Sequence, residues 1–213
     1  MITKKSPPTV FVVDDDESVR GSLRFLLRSV GLESRAFGSA PEFLTAYDPA
    51  QPGCLVLDVR MPGMSGLELQ QELNVRGAII PVVFITGHGD VPMAVEAMQH
   101  GAHDFLQKPF RDEELIERVQ RALAKDAKTR AGLEQHQSIR ERLDSLTPRE
   151  REVLALMARG KPNTIMAYEL GVSQRTVEIH RARVMEKRGA SSVAELVRMV
   201  MDVEPQLAPS PQG

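Results

Sequence analysis

The sequence predicts an α/β fold: a doubly wound sheet of five parallel strands, followed by a helical linker and an all-α four-helix domain. Two observations predict this architecture. Over the first 120 residues, short apolar runs alternate with segments of helical periodicity, which is the pattern of repeated βα units. From residue 112 onward no strand signal remains and helix formers dominate. The chain therefore divides into an α/β front and a helical back.

Five segments are predicted as strands. Three of them are uninterrupted apolar runs, as expected of strands that are covered on both faces of a parallel sheet. The other two, 33–37 and 103–107, are more polar. In chain order the five segments are 9–14, 33–37, 54–58, 79–86 and 103–107.

The helices between these strands are predicted from apolar spacing and from end signals. Gly31 is a plausible C-cap for the first helix, and Ser39 with Glu42 forms a predicted capping box at the start of the second. Pro41 falls in the first turn of that second helix, where proline is tolerated. The predicted helices are 18–31, 39–47, 65–77, 91–100 and a last one from 111 onward.

Residues 112–146 are predicted as one long helical connector. Apolar residues recur every fourth position as far as Ala127, and the pattern thins after Gly132, so we expect the helix to be loosest there. Two interpretations remain open at this point. The connector could pair with a second copy of itself, or it could be an exposed, charged spacer.

The back of the chain reads as four helices. Thr147 begins a capping box with proline at the first helical position, and Ser173 is a predicted N-cap that follows the tight turn at Gly171. Helix, tight turn and helix form the helix-turn-helix pattern. The helices are 147–159, 163–170, 174–188 and 191–201, and the Pro-rich tail is expected to be disordered.

Composition narrows the class of protein. Residues 1–120 carry 11 basic and 17 acidic residues, whereas residues 147–213 carry 10 basic and 8 acidic, so any nucleic-acid contact is expected at the back. The single cysteine, Cys54, excludes an internal disulfide and fits a reducing cytoplasm. No leader and no apolar run near 18 residues is present, so we expect a cytoplasmic protein with no membrane partner.

Polar residues follow the predicted strands where each strand ends: Asp14 and Asp15, Asp58, Thr86 and Lys108. The carboxyl ends of parallel strands meet at one edge of the sheet, and carboxylates gathered there repel each other unless a cation neutralises them. Mg²⁺ accepts carboxylate oxygens while keeping several waters. The run "VVDDDE" alone could equally be a solvated loop start. The strand-end motifs "LVLDVRMPGMSG", "FITGHGD" and "FLQKPF" favour the magnesium site.

In this order and combination, the motifs resemble the receiver domain of bacterial two-component response regulators, and the resemblance covers residues 9–120. It implies that Asp58 is the phosphoacceptor for a sensor histidine kinase. It also implies that Asp15 binds Mg²⁺ directly and Asp14 largely through water, with the backbone carbonyl of Arg60 as another ligand. Asp16 is expected to remain outside the ligand set.

The same resemblance implies a switch. Lys108 and Thr86 would bind the new phosphoryl oxygens, and the movement of Thr86 would let Phe105 turn inward, although Phe105 could also be a simple core aromatic. That change would remodel the face formed by residues 91–107. The Lys108–Pro109 bond is usually cis in this family.

The helix after the tight turn carries a local charge of +3, and its Gln174, Arg175, Glu178 and Arg181 are predicted to point outward. Residues 146–200 resemble the DNA-binding domain of LuxR-type regulators, so the whole chain resembles the FixJ/NarL family of response regulators. The resemblance places Thr176, Val177, His180, Arg181 and Arg183 on the recognition helix. With the outward-facing residues added, the predicted DNA-contacting residues are Gln174, Arg175, Thr176, Glu178, His180, Arg181, Arg183 and Lys187.

Two departures from the family pattern concern that domain. Thr164 stands where a lysine is usual and removes an expected phosphate contact. Arg188 stands where an apolar residue is common, so we expect either loose packing at the end of the helix or an arginine that reaches DNA.

These residues predict a receiver domain (1–120), a helical linker (121–145), a LuxR-type helix-turn-helix domain (146–204) and a tail (205–213). The expected function is a phosphorylation-controlled transcription regulator, with a sensor histidine kinase, promoter double-stranded DNA, RNA polymerase and a second copy of the phosphorylated chain as partners. It would catalyse only its own phosphoryl uptake and loss. Two rival functions are a phosphorylated adaptor that binds protein and a nucleotide enzyme, although "DDDESVRG" lacks the Gly-rich loop of the latter.

Overall fold

The computed structural model describes residues 6–87 and 91–201. The chain forms two compact units, Met1–Arg130 and Ala131–Gly213. The division falls within the segment 121–145 that the sequence predicts as the linker.

The first unit contains a sheet of five parallel strands in the order β2-β1-β3-β4-β5. The order reverses next to β1, which pairs with both β2 and β3, so the crevice at the carboxyl end of β1 is where a ligand site is expected. The strands are β1 (Thr9–Val13), β2 (Glu33–Phe37), β3 (Gly53–Asp58), β4 (Val82–Thr86) and β5 (Asp104–Gln107).

Helices cover both faces of this sheet. Neighbouring residues of a strand point to opposite faces, so that Phe11 packs into one apolar cluster and Val12 into the other. The Phe11 cluster includes residues of α2, α3 and α4, and the Val12 cluster includes residues of α1 and α5. The helices are α1 (Glu17–Ser29), α2 (Ala40–Ala46), α3 (Gly66–Val75), α4 (Val91–Gln99) and α5 (Asp112–Asp144).

The predicted doubly wound fold is therefore confirmed, with one local correction. Ser39 caps α2 by accepting from the Glu42 amide, but the Glu42 carboxylate accepts from the amide of Gly38 instead of closing the box on Ser39. The predicted long helical connector is present, since α5 continues through Gly132 to Asp144.

The part of α5 beyond residue 120 is tied to the sheet by a buried ion pair. Asp126 is 1% exposed, and Arg130 Nε lies 2.9 Å from both of its carboxylate oxygens. One of these oxygens also accepts from the amide of Gly53 at 2.9 Å, where β3 begins. The Arg130 guanidinium donates to the carbonyls of Pro49 at 2.9 Å and Gln51 at 3.0 Å. This anchor, defined as the Asp126–Arg130 pair, makes α5 part of the first unit as far as residue 130.

In its described residues, which end at 201, the second unit packs four further helices around an apolar core. The buried residues of this core include Val153, Val177, Val184 and Leu196, and Ile139 of α5 belongs to the same cluster. The capping box at Thr147 with proline at the first position is present as predicted. The helices are α6 (Pro148–Ala158), α7 (Asn163–Leu170), α8 (Gln174–Arg188) and α9 (Val193–Met201). The tail predicted at 205–213 lies outside the described residues.

The expectation that Arg188 reaches DNA was wrong, because its side chain is only 1% exposed. The alternative expectation, loose packing at the end of α8, stays a prediction. Arg188 Nη1 donates to the backbone carbonyl of Ile139 at 2.8 Å. An arginine can replace an apolar residue here because its stem packs in the core while its head meets a backbone acceptor.

Within the ranges 6–87 and 91–201, no helix has the length and apolar character needed to cross a membrane.

Candidate functional site

The carboxyl edge of the sheet gathers four of the predicted site residues. Asp14 follows β1, Asp58 ends β3, Thr86 ends β4, and Lys108 follows β5. The Lys108 amide donates to the Thr86 carbonyl at 2.8 Å, which joins the ends of the last two strands. Asp14, Asp58 and Thr86 are all buried. The predicted convergence at this edge is therefore present.

Lys108 lies between the two buried carboxylates. Its Nζ is 2.7 Å from Asp14 Oδ2 and 3.0 Å from Asp58 Oδ1. Two anions thus share one cation, which leaves the group with a negative charge in excess. Such a group attracts further positive charge.

The pKa values of Asp58 and Lys108 both reflect burial and the contacts of these side chains. Burial raises the pKa of the Asp58 carboxyl, and the hydrogen bond from Lys108 offsets that rise only in part. For Lys108, burial alone would lower the pKa, but the bonds to Asp14 and Asp58 outweigh it and the pKa is raised. Burial therefore favours the neutral form of the Asp58 carboxyl, whereas the two carboxylate contacts favour the charged form of Lys108.

The three consecutive aspartates have different surroundings. The carboxylate of Asp14 is buried and accepts from the Asp16 amide at 2.9 Å through Oδ1. Asp16 is the N-cap of α1, since its Oδ1 accepts from the amide of Ser18 at 2.8 Å and from that of Val19 at 3.4 Å. Asp15 is exposed. Asp16, the third acid of the run, is therefore explained by its role as the N-cap of α1.

The residues present fit a magnesium ion, although they do not form the cluster of three acids that the sequence suggested. Among the residues that the structure describes, no three His, Cys, Asp or Glu side chains lie close enough together to hold a metal. Asp14 and Asp58 come together, and Asp15 does not join them. Mg²⁺ is held in many sites by one or two carboxylates while waters complete its shell. The oxygen donors and the excess negative charge are compatible with that ion.

The loop after β3 lies against Asp58. The Arg60 amide donates to Asp58 Oδ2 at 2.7 Å. The ligand role predicted for the Arg60 carbonyl stays a prediction. Gly66, at the start of α3, also lies close to Asp58. A β-carbon on Gly66 would lie 2.2 Å from the Asp58 carbonyl oxygen, which only glycine avoids.

Phe105 on β5 is partly buried and packs on the core, with its ring centroid 6.4 Å from that of Phe84. The Lys108–Pro109 bond is cis, as the resemblance implies.

In the second unit, α7 and α8 form the predicted helix-turn-helix. Gly171 ends α7 in the left-handed conformation, with φ 64° and ψ 34°. Ser173 then caps α8, because its hydroxyl accepts from the Thr176 amide at 3.1 Å. The glycine is required for this sharp turn, since other residues rarely adopt a positive φ.

The predicted DNA contacts divide into two groups by exposure. Gln174, Arg175, Glu178 and Arg183 are exposed on α8. Thr176, His180 and Arg181 are partly buried, and Arg181 Nη1 donates to Asn163 Oδ1 at 2.8 Å.

Two residues of α8 change the set of candidate DNA contacts: Lys187 is less available than predicted, and Ile179 is an additional candidate. The Lys187 amine bonds to Glu150 Oε2 at 2.7 Å and to the Ser145 carbonyl at 3.2 Å, so its charge is already matched within the unit. Ile179 was absent from the prediction, yet it is 47% exposed on the outward side of α8. The helical period could have found it, because it lies two residues beyond the inward Val177, on the opposite side of the helix.

The fold and the two sites together define a class of protein: an aspartate-bearing doubly wound domain joined to a helix-turn-helix domain. The response regulator receiver domain family matches residues 10–120, and the luxR family of bacterial regulatory proteins matches residues 144–200. The chain belongs to the two-component response regulators that combine these domains, and it is a transcription regulator of the FixJ type.

Several relatives match along most of their length. The transcriptional regulatory protein FixJ of Azorhizobium caulinodans is 50% identical over 90% of this chain and 91% of its own length. Nodulation protein W of Bradyrhizobium diazoefficiens is 51% identical over 89% of this chain and 84% of its own. The low-resolution structure of the response regulator StyR has a TM-score of 0.87 at 48% identity, covering 92% of this chain and 100% of that one.

Proposed function

We propose that Asp58 is the residue that accepts the phosphoryl group, and that its modification controls DNA binding by the second unit. The observation that carries this proposal is the position of Asp58, buried at a strand end with Lys108 Nζ at 3.0 Å and Thr86 at the end of the neighbouring strand. A carboxylate with a cation beside it and a hydroxyl-bearing residue at the end of the neighbouring strand has groups that can stabilise an incoming phosphoryl group.

In the proposed step, a carboxylate oxygen of Asp58 attacks the phosphorus of a phosphohistidine on a sensor kinase. The new P–O bond forms as the P–N bond breaks, and the histidine nitrogen leaves with the electron pair. Lys108 can turn its amine from the carboxylates toward the transferred oxygens, because its flexible stem carries a point charge. The Thr86 hydroxyl then donates to the acyl phosphate.

Mg²⁺ would supply charge neutralisation for the carboxylates and the phosphoryl oxygens during this transfer. We propose that Asp14, Asp58 and the Arg60 carbonyl would hold it, joined by the Asp15 carboxylate, which would have to turn from its exposed position. Loss of the phosphoryl group by hydrolysis at the same residues would make the receiver its own phosphatase.

The phosphorylated form is proposed to dimerise through the face formed by α4 and β5, with Phe105 as the switch residue. Val95 and Met98 support this proposal because both are exposed apolar residues on α4, each 47% exposed. In such a dimer, the second unit of each chain would bind one of two half-sites about one helical turn apart in promoter DNA. The bound dimer would then act on RNA polymerase.

For DNA recognition we propose that the exposed side chains of α8 make the contacts. Gln174, Arg175, Glu178 and Arg183 have suitable chemistry for base edges and phosphates, and Ile179 can meet a thymine methyl group. Thr176 and His180 would contribute at the edge of this surface. Arg181 and Lys187 would mainly fix the position of α8, since both are already bonded within the unit.

The test uses the full chain with acetyl phosphate and Mg²⁺, and phosphate-affinity electrophoresis as the readout. Asp58→Asn is expected to abolish phosphoryl uptake. Asp16→Asn is the matched control, because asparagine caps a helix as well as aspartate does and the variant removes one charge from the same acidic run. Uptake by Asp58→Asn equal to that of the control would refute the assignment.

Binding measurements separate the rival functions. Affinity for promoter DNA should fall steeply with salt, because phosphate contacts release counterions. A shallow salt dependence would favour an adaptor that binds protein, and tight binding of ATP would favour a nucleotide enzyme.

A further inference from the structure

Two consecutive basic residues at the end of α8 bind the stretch of chain that leads into α6. Arg188 Nη1 donates to the backbone carbonyl of Ile139 at 2.8 Å, and Lys187 Nζ donates to that of Ser145 at 3.2 Å. The Lys187 amine also donates to Glu150 Oε2 at 2.7 Å. We call these three hydrogen bonds the connector clasp. They join the last turn of α8 to the C-terminal part of α5, to the residue after it and to the first turn of α6.

The connector clasp is built into the core of the second unit. Arg188, Glu150 and Ile139 are all buried. The Ile139 side chain belongs to the same apolar cluster as Val184, which lies one turn before Arg188 on α8. The Glu150 carboxylate also accepts from the Thr147 amide at 2.9 Å, in the capping box that begins α6. Because buried polar groups are costly to leave without partners, α5 cannot change direction at Ile139 unless the end of α8 moves or buried bonds break.

The helix α8 links the connector clasp to the residues that are proposed to meet the bases. A recognition helix contacts base edges mainly with its N-terminal residues, which here include Gln174, Arg175 and Glu178. The clasp lies at the opposite end of α8, roughly 20 Å away at 1.5 Å per residue. Since a hydrogen-bonded helix of this length moves as one rod, a tilt imposed at Arg188 also displaces the end that reads DNA.

We propose that the connector clasp couples the state of the receiver to the orientation of the recognition helix. A change in α5 that accompanies phosphorylation reaches α8 through Lys187 and Arg188, so each phosphorylated chain binds a single half-site more tightly, before dimerisation adds its own effect. This inference rests on the proposed function, because it needs Asp58 to control DNA binding. Lys187 and Arg188 act as positioning residues, and neither contacts a base or a phosphate.

Dimerisation alone leads to a different expectation for DNA binding. If phosphorylation only joins two chains, a DNA with paired half-sites is bound more tightly because the second contact becomes intramolecular, whereas a single half-site is bound as before. If the connector clasp reorients α8, the affinity for a single half-site rises as well. A duplex that carries one half-site therefore separates the two mechanisms.

The experiment measures binding of the full-length chain to such a duplex by fluorescence anisotropy, with and without acetyl phosphate and Mg²⁺. The duplex ends at the edges of the half-site, which is taken from DNA that the phosphorylated chain selects out of a random pool. Phosphorylation is expected to tighten half-site binding by the unmodified chain about tenfold, a usual size for coupling between two sites.

The variants Lys187→Met and Arg188→Met remove the donors of the connector clasp and keep the apolar stems. In each of them, and most of all in the double variant, the effect of phosphorylation on half-site binding should shrink toward none. Arg140→Met is the matched control, because it removes an exposed arginine from α5 next to Ile139 and leaves the clasp intact. It should keep the full effect. Clasp variants that respond to phosphorylation as strongly as this control would overturn the proposal.

Amide hydrogen exchange separates coupling from damage to the fold. In the unmodified chain, phosphorylation should change the protection of the last turn of α8, and this change should be absent in the clasp variants while the core of the second unit stays protected. If Arg188→Met loses protection throughout that unit, Lys187→Met decides the question, because its side chain is partly exposed and its loss leaves the core filled.

The failure of this inference is distinguishable from the failure of the proposed function. If phosphorylation changes binding to neither single nor paired half-sites, control of DNA binding by Asp58 is refuted. If paired half-sites are bound more tightly after phosphorylation but a single half-site is not, the coupling through the connector clasp fails alone.

Discussion

The Asp126–Arg130 anchor predicts an unusually large loss of stability from a substitution in what the sequence presents as a linker. Asp126→Ala removes a carboxylate that is 1% exposed, leaves the Gly53 amide without this acceptor, and deprives Arg130 of its counter-ion. Breaking a buried ion pair by removing one partner costs about 3–5 kcal/mol. A buried donor left without an acceptor costs about 1–3 kcal/mol, which is part of the same loss. We expect the free energy of unfolding of the first unit to fall by about 4 kcal/mol.

The chain contains a control of the same chemistry and spacing. Glu72 of α3 and Arg76, which caps its C-terminus, also form an ion pair four residues apart, with Nε 2.8 Å from the carboxylate, but both side chains are exposed. Exposed pairs on helices contribute about 0.3–0.5 kcal/mol. Glu72→Ala should therefore cost roughly a tenth of what Asp126→Ala costs, although the two pairs have nearly the same geometry.

Urea unfolding followed by tyrosine fluorescence measures this difference. The chain has two tyrosines and no tryptophan, and one tyrosine lies in each unit. In a Tyr168→Phe background, Tyr47 reports the first unit alone, since it packs against Phe43 at a centroid distance of 5.2 Å. With a slope of about 2 kcal/mol per molar urea, Asp126→Ala should lower the midpoint by about 2 M.

A double-mutant cycle completes the test. Asp126→Ala with Arg130→Ala should cost less than the sum of the single changes, with a coupling energy on the order of 3 kcal/mol. The reasoning fails if Asp126→Ala is no more destabilising than Glu72→Ala, or if the two single effects simply add.

Three further predictions concern the second unit. The hydrogen bond from Lys187, with that from the backbone at residue 147, lowers the pKa of Glu150. The bonds to the ionised Glu150 carboxylate therefore stabilise the fold fully above its ordinary pKa of about 4.3, and this stabilisation is lost as pH falls through the lowered pKa. The difference in urea midpoint between Glu150→Gln and the unmodified chain should therefore close in acid. Arg188→Ala should lower the free energy of unfolding by about 2–4 kcal/mol in urea titrations, and by less as Arg188→Met, because the alanine leaves a cavity. Arg183→Ala should weaken promoter binding and reduce the salt slope by about 1, measured by fluorescence anisotropy at several salt concentrations.

Local signals in the sequence predicted most of the fold. The apolar runs at β1, β3 and β4 identified strands covered on both faces, and Ser173 with Gly171 marked the turn between α7 and α8. These predictions succeeded because each depends on residues that are neighbours in the chain. The convergence of Asp14, Asp58, Thr86 and Lys108 also followed from the parallel order of the strands.

The features that escaped prediction depend on residues far apart in the chain. Asp126 and Arg130 look like one more charged pair on an exposed helix, and only the loop before β3 shows that they are buried. Arg188 looks like part of a basic surface until the carbonyl of Ile139 gives it a buried acceptor. Asp15 belongs with the other acids by sequence, but the conformation of the backbone after β1 leaves it exposed.

Arg130 and Arg188 together shorten the part of the chain that can act as a spacer. The first holds α5 to the core of the receiver unit, and the second holds the helix at Ile139 to the core of the DNA-binding unit. Only residues 131–138 lie between these two points of attachment. Natural variation in spacer length should therefore be tolerated within this short stretch, whereas insertions elsewhere between residues 121 and 145 would pull an arginine out of a folded core.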